Sequence, residues 1–224
     1  MPTLAIVGAG PALGLAIART FGSHGYDVAL IARNQEKLEG LIGELAADGI
    51  TAAAFTADVL DRPALTQALG KAAAHVGGID VLEHTPGGTA ADTKLTLPSE
   101  TSPEDMQAQI EFQLYGAITA TQAVLPAMKE AGAGTLLFTT RAGSVDPVPM
   151  VGNVNAAAAA LRNWAINLNK ELARTGVYAV HVGIDVSINQ SVTPGFPVAP
   201  AEDIATAYWD LHTKREDGEF IFSL

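Results

Sequence analysis

The chain has 224 residues, 48% hydrophobic and 17% charged, a balance that suits one globular domain with a sizeable core over residues 1–224. A formal net charge of -11, with no Lys/Arg cluster to offset it, repels phosphate backbones and anionic membrane surfaces, so no nucleic-acid partner is expected. The absence of cysteine excludes disulfides, zinc thiolates and a Cys nucleophile, and no metal site is expected.

The opening stretch "MPTLAIVGAGPALGLAIARTF" is apolar, but Gly8, Gly10, Pro11 and Gly14 interrupt it and no basic segment precedes it, so it reads as a buried strand and turn. No run reaches the roughly 18 apolar residues that span a bilayer. A soluble, cytoplasmic protein without a membrane partner is the expectation.

Short apolar runs then alternate with helical patterns. Strands are predicted at 3–7, 27–32, 52–58, 79–85, 135–140, 178–186 and 220–223, and helices at 12–23, 35–47, 63–76, 103–130, 155–174 and 200–212. Ser102 ahead of Pro103 can cap the long fourth helix, and Gly132 can end it. Strands alternating with crossover helices imply an α/β fold: a Rossmann-like, doubly wound parallel sheet of about seven strands with helices on both faces. Segments 86–101 and 189–199 are long for loops, and both follow strand ends, where ligands bind in this architecture.

"VGAGPALG" follows the first strand and opens the first helix, which places Gly8, Gly10 and Gly14 in the context of a nucleotide-binding turn. Gly8 permits the turn, Gly10 lets backbone approach a pyrophosphate, and Gly14 lets helix and strand pack; Pro11, Ala12 and Leu13 lie between them at the helix N-terminus. After the second strand comes Arg33-Asn34, with no acidic residue to repel a 2′-phosphate. Arg33 can pair with that phosphate, which favours NADP(H) over NAD(H). A solvated surface arginine is the alternative. Asp58-Val59 after the third strand would meet an adenine ring, although Asp58 would serve equally as a turn cap.

These segments, with "GGIDVLEHTPG", "LYGAITATQAVLPAMK", "GTLLFTT" and "LNKELA", make the chain resemble the short-chain dehydrogenase/reductase family over nearly its whole length. The resemblance implies an NADP-binding single domain, a small-molecule substrate, and a homodimer or homotetramer built on the helices 103–130 and 155–174. It also implies cofactor contacts at Thr85, Pro86 and Gly87, where His84-Thr85-Pro86-Gly87 stands in place of the family's Asn-Asn-Ala-Gly. The usual glycine at position 12 is Ala12.

The family reduces carbonyls with a Ser, Tyr, Lys and Asn tetrad. Carried onto this chain, the Asn position holds Gln113, the Ser position Thr140, the Tyr position Val154 and the Lys position Ala158. Thr140 and Gln113 are therefore the candidate catalytic residues, with Thr140 orienting a substrate oxygen or merely capping its own strand end. Val154 and Ala158 cannot transfer a proton, a loss worth about 10²- to 10⁴-fold in rate where a general acid is needed.

The neighbouring residues have humbler expected roles. Arg141 and Asp146 are placed on a loop beyond Thr140; one of Asn153 and Asn155 is expected to cap the sixth helix, His84 to be structural, and Tyr115, about 200° round a helix from Gln113, to face away. Three readings follow: an oxidoreductase with an altered proton donor, a non-catalytic nucleotide-binding sensor or partner subunit, and a non-redox enzyme on the same fold.

Overall fold

Continuously apolar runs become the strands of one parallel sheet, because a strand covered on both faces has no wet side to spend on polar residues. In the computed structural model, which describes residues 1–87, 94–191 and 194–224, these are β1 (Thr3–Val7), β2 (Asp27–Ala32), β3 (Ala52–Thr56), β4 (Val81–His84), β5 (Gly134–Arg141) and β6 (Val177–Ile184). A two-strand pair, β7 (Ser187–Ile188) with β8 (Val198–Ala199), stands apart, and β9 (Glu219–Phe222) completes the main sheet. The seven-stranded order is β3-β2-β1-β4-β5-β6-β9, every neighbour parallel. The strand order reverses between β1 and β4, which opens a crevice at their C-terminal ends.

Helices α1 (Leu13–Ser23), α2 (Gln35–Ala47) and α7 (Ala201–Lys214) cover one face, with Phe21, Leu38, Leu45, Ile204 and Tyr208 buried against Leu4, Ile6, Leu30 and Val182. On the other face lie α3 (Arg62–Val76), α5 (Gly116–Ala131) and α6 (Gly152–Leu172), with Leu65, Leu69, Val124, Leu161 and Leu168 against Val7, Leu82, Leu136 and Phe138. This is the expected single-domain Rossmann-like fold. No helix among the described residues is long and apolar enough to cross a membrane.

Capping residues end the helices as their chemistry requires. Asn34 accepts from the Lys37 amide at 2.9 Å, Asp61 from the Ala64 amide at 3.0 Å, and Ser102 and Asp105 form a reciprocal capping box at the start of α4 (Pro103–Ile110). Gly132 ends α5 in the left-handed region at φ +65°.

Several boundaries correct the expectation. The predicted helix 103–130 is not uniform: α4 gives way to a π-helical turn at Glu111–Tyr115 before α5 begins. Gly116 follows that wide turn where the backbone passes close to its neighbours, since a Cβ there would stand 3.3 Å from His84 Nε2 and 3.3 Å from Val59 Cβ. The helix expected at 155–174 starts three residues earlier, at Gly152, and ends at Leu172, while the third strand stops at Thr56. The long segment 86–101 contains a short 3₁₀ turn at Pro98–Glu100, and the neck of 189–199 is closed by β7 and β8; residues 88–93 and 192–193 lie outside the described residues.

Candidate active site

The chain leaves β1 through Gly8, whose amide donates to the Ile31 carbonyl at 2.8 Å and whose φ of +96° lies in the region open to glycine. A side chain is also sterically impossible there: a Cβ would stand 2.5 Å from Pro86 Cα and 2.5 Å from the Thr85 carbonyl oxygen. The end of β4 thus crosses directly over the turn. Gly14 has its own close neighbour, Ala9 Cα, 3.3 Å from a notional Cβ.

No side chain among the described residues caps α1, whose N-cap is Ala12. The Leu15 amide donates to the Gly10 carbonyl at 2.9 Å, which leaves the amides ahead of it in the first turn, with the positive end of the helix dipole behind them, to meet an anion, and no acidic residue occupies that turn. This donor set fits a pyrophosphate.

The turn opens into a cavity of about 560 Å³ at the C-terminal edge of the sheet. Gly8, Gly10, Pro11, Ala12, Leu13 and Gly14 form one side of it, and Thr85, Pro86 and Gly87 another. Thr140 and Gln113 line the same cavity, so eleven residues singled out from the sequence converge on one space. Arg33, Asn34, Asp58 and Val59 are not on its wall. Arg33 is exposed just past β2; Asn34 spends its side-chain oxygen capping α2; Asp58 accepts from the Leu60 amide at 3.0 Å; Val59 is buried.

The remainder of the wall is mainly apolar, from Phe112, Val154, Leu161, Ile184 and Ile188. Gln113 donates to the Val154 carbonyl at 3.2 Å and to Gln109 Oε1 at 3.3 Å, which ties the π-helical turn to α6. Val154 reaches the cavity, whereas Ala158 is buried and off its wall. Arg141 belongs to the end of β5 rather than to a loop; it lines the cavity, and its guanidinium donates to the Val186 carbonyl at 3.2 Å. Tyr115 faces a separate groove, where the Arg62 guanidinium stands 5.7 Å from its ring centre.

Neither asparagine of α6 caps it, because the helix starts ahead of both. Asn153 donates to the Lys94 carbonyl at 2.8 Å and accepts from the Thr96 amide at 3.2 Å, while Asn155 donates to the Val148 carbonyl at 2.9 Å. Both lash loops to the helix start. His84 is fully buried on the cavity wall, and among the described residues neither ring nitrogen has a partner; burial pushes its pKa down to about 3, so the ring is neutral.

Beneath Thr140 lies a polar chain that the sequence reading missed. Thr140 Oγ1 is 2.7 Å from His181 Nε2, 3.1 Å from Ser144 Oγ and 3.0 Å from the Arg141 carbonyl oxygen. His181 Nδ1 is 3.2 Å from Glu219 Oε1, and the Arg162 guanidinium grips both Glu219 oxygens, Nη2 to Oε2 at 2.7 Å. Arg162 holds the Glu219 carboxyl below its ordinary range, so it is ionised and only accepts. One signal was available: His181 interrupts "VYAVHVGI", an otherwise apolar run in which all eight residues are buried.

A doubly wound sheet, a glycine turn at its switch point and a polar strand end facing an apolar cleft are the architecture of a Rossmann-like α/β protein of the dehydrogenase type. The chain belongs to the short chain dehydrogenase family, whose profile matches residues 2–191. It is 26% identical over 192 residues to a protein of Staphylococcus aureus (strain USA300) described as an uncharacterized oxidoreductase, covering 84% of this chain and 80% of that one.

Among solved structures, L-sorbose reductase from Gluconobacter frateurii complexed with NADPH and L-sorbose superposes with a TM-score of 0.87 at 19% identity, over 99% of this chain and 95% of that one. An NADPH-bound short chain oxidoreductase from Pseudomonas aeruginosa PAO1 containing an atypical catalytic center gives a TM-score of 0.87 at 18% identity, over 98% and 94% of the two chains. At such identities these likenesses concern the fold.

Proposed function

We propose that the protein is an NADP(H)-dependent oxidoreductase acting on a small carbonyl or alcohol substrate, with an active site in which Val154 and Ala158 replace the family's Tyr and Lys. The observation that carries this reading is the single cavity shared by the uncapped, glycine-lined N-terminus of α1 and by Thr140 and Gln113. A dinucleotide laid along the turn would end its reach beside Thr140. NADPH bound to the Gluconobacter and Pseudomonas structures supports the choice of cofactor, and Arg33 supports the 2′-phosphate form over NAD(H).

When bound, the nicotinamide supplies hydride chemistry. The chain's own contribution is to hold the pyrophosphate on α1 amides, to bound the substrate with Phe112, Val154 and Ile188, and to present the Thr140 hydroxyl to its oxygen. The apolar wall excludes water from the reacting carbon. A cytoplasmic homodimer or homotetramer, assembled through the helices 103–130 and 155–174, belongs to the same reading.

Calorimetry with NADPH and NADH, followed by stopped-flow mixing of the NADPH complex with a panel of ketones, aldehydes, imines and enones, tests it. The expected result is tighter binding of NADPH and loss of nicotinamide absorbance with at least one substrate. Binding with no absorbance change across the panel favours the non-catalytic sensor or partner subunit, which Val154 on the cavity wall would suit. Turnover undiminished in cofactor-stripped protein favours the non-redox enzyme.

A further inference from the structure

The buried chain Thr140–His181–Glu219 joins the cavity wall to the protein surface. Thr140 lines the cavity, His181 is 0% exposed, and the Glu219 side chain is 29% exposed. Ionised Glu219 can only accept, so His181 carries its proton on Nδ1; Nε2 is then a lone-pair acceptor at 2.7 Å, nearer to Thr140 Oγ1 than the other acceptors of its single proton, the Arg141 carbonyl oxygen at 3.0 Å and Ser144 Oγ at 3.1 Å. With its proton directed to Nε2, the lone pairs of Thr140 Oγ1 are left to accept from a substrate hydroxyl. This is the hydroxyl–imidazole–carboxylate order that gives a hydroxyl a proton acceptor at its back.

We propose that Thr140 is the catalytic residue that exchanges a proton with the substrate oxygen, and that His181 and Glu219 are positioning residues acting through it, a relay that replaces the missing phenol and ammonium. The inference rests on the oxidoreductase reading above.

In the direction of alcohol oxidation, the carbinol C–H bond breaks and hydride passes to the oxidised nicotinamide of NADP⁺. The substrate O–H bond breaks as well, its proton passing to Thr140 Oγ1 while the Thr140 proton passes to His181 Nε2. The products are the carbonyl compound, NADPH and an imidazolium, whose extra proton is discharged to solvent. Carbonyl reduction runs the same steps backwards.

Thr140 alone is too weak an acid or base for this exchange, and the imidazole behind it lets the charge settle one atom further from the substrate. The charged groups facing His181 among the described residues are Glu219 from β9 and Arg162 from α6; from β5 and the turn after it come only the hydroxyls of Thr140 and Ser144. Burial holds the ring down to about 4 against the pull of Glu219, so His181 is a resting base at neutral pH.

Nuclear magnetic resonance of the protein labelled at histidine tests the geometry without turnover. The expected spectrum shows His181 as the Nδ1–H tautomer, with an Nε2 signal that moves in Thr140→Val, and a pKa lowered further in Glu219→Gln. An Nε2–H tautomer, or a ring indifferent to Thr140→Val, overturns the proposal.

Kinetics on the NADPH-bound enzyme with the ketone panel supply the second arm. Thr140→Val and His181→Gln are each expected to lower kcat by about 10²-fold or more with NADPH affinity retained, and Thr140→Ser to restore most of what Thr140→Val loses. The rise of reduction rate toward acid pH should vanish in His181→Gln. Unchanged kcat and pH profile in both variants overturns the relay while wild-type turnover leaves the oxidoreductase reading standing; no turnover by the wild type defeats both.

Discussion

Gly8 and Pro86 approach so closely that a Cβ on Gly8 would stand 2.5 Å from the Pro86 Cα. The neighbouring atoms are backbone and cannot swing aside, and Gly8 has a φ of +96°. Gly8→Ala should therefore cost at least about 1–3 kcal/mol of stability, measured by urea unfolding, from backbone strain before the clash is added. NADPH binding should weaken in the same variant because the turn and the start of α1 must shift. A variant as stable as wild type, with equal NADPH affinity, would contradict the geometry.

Arg33 offers a test of cofactor choice that is separate from chemistry. A guanidinium paired with a 2′-phosphate is a charge-assisted contact worth about 1.5–3 kcal/mol, so Arg33→Ala should weaken NADPH about 10- to 100-fold. NADH affinity should stay the same, since it has no phosphate to lose. Equal loss for both nucleotides in calorimetry would show that Arg33 does not read the phosphate.

Glu83 is buried beneath the cavity floor, where Thr139 donates to its Oε1 at 2.8 Å and Oε2 has no partner among the described residues. Burial raises its pKa from 4.5 to about 8. The folded chain therefore holds a proton that the unfolded chain releases between those values, so this residue's contribution to stability falls as pH rises. Glu83→Gln removes the titration, and the melting temperature of the variant relative to wild type should climb from about pH 5 to about pH 8. A difference independent of pH would mean that Glu83 is ionised in the fold.

Ala157 is fully buried in the first turns of α6. Ala157→Leu inserts three carbons into closed packing and should destabilise the protein by about 1–3 kcal/mol in thermal or urea unfolding. Unchanged stability would show that α6 has room to move away from its neighbours.

Much of the site was legible because local chemistry dictated it. The turn at Gly8 and Gly14 reads directly: backbone that bends sharply or passes close to its neighbours excludes side chains, and that exclusion is written as glycine. Thr140 and Gln113 were reachable by counting from neighbouring segments. The asparagines of α6 were misread because a polar residue near a helix start looks like a cap, yet the helix began earlier and Asn153 and Asn155 found loop carbonyls instead. The π-helical turn at Glu111–Tyr115 has no pattern of its own, being one residue of extra winding set by packing.

By itself the sequence determined the order of strands and helices and the location of the glycine turn, since hydrophobic period and glycine placement act over a few residues. Only the tertiary structure decided that Thr140, His181, Glu219 and Arg162 form one chain. These residues lie on β5, β6, β9 and α6, and no short-range rule couples them; the parallel register of β5 with β6 and of β6 with β9, and the way α6 packs over them, bring their polar atoms within hydrogen-bond reach.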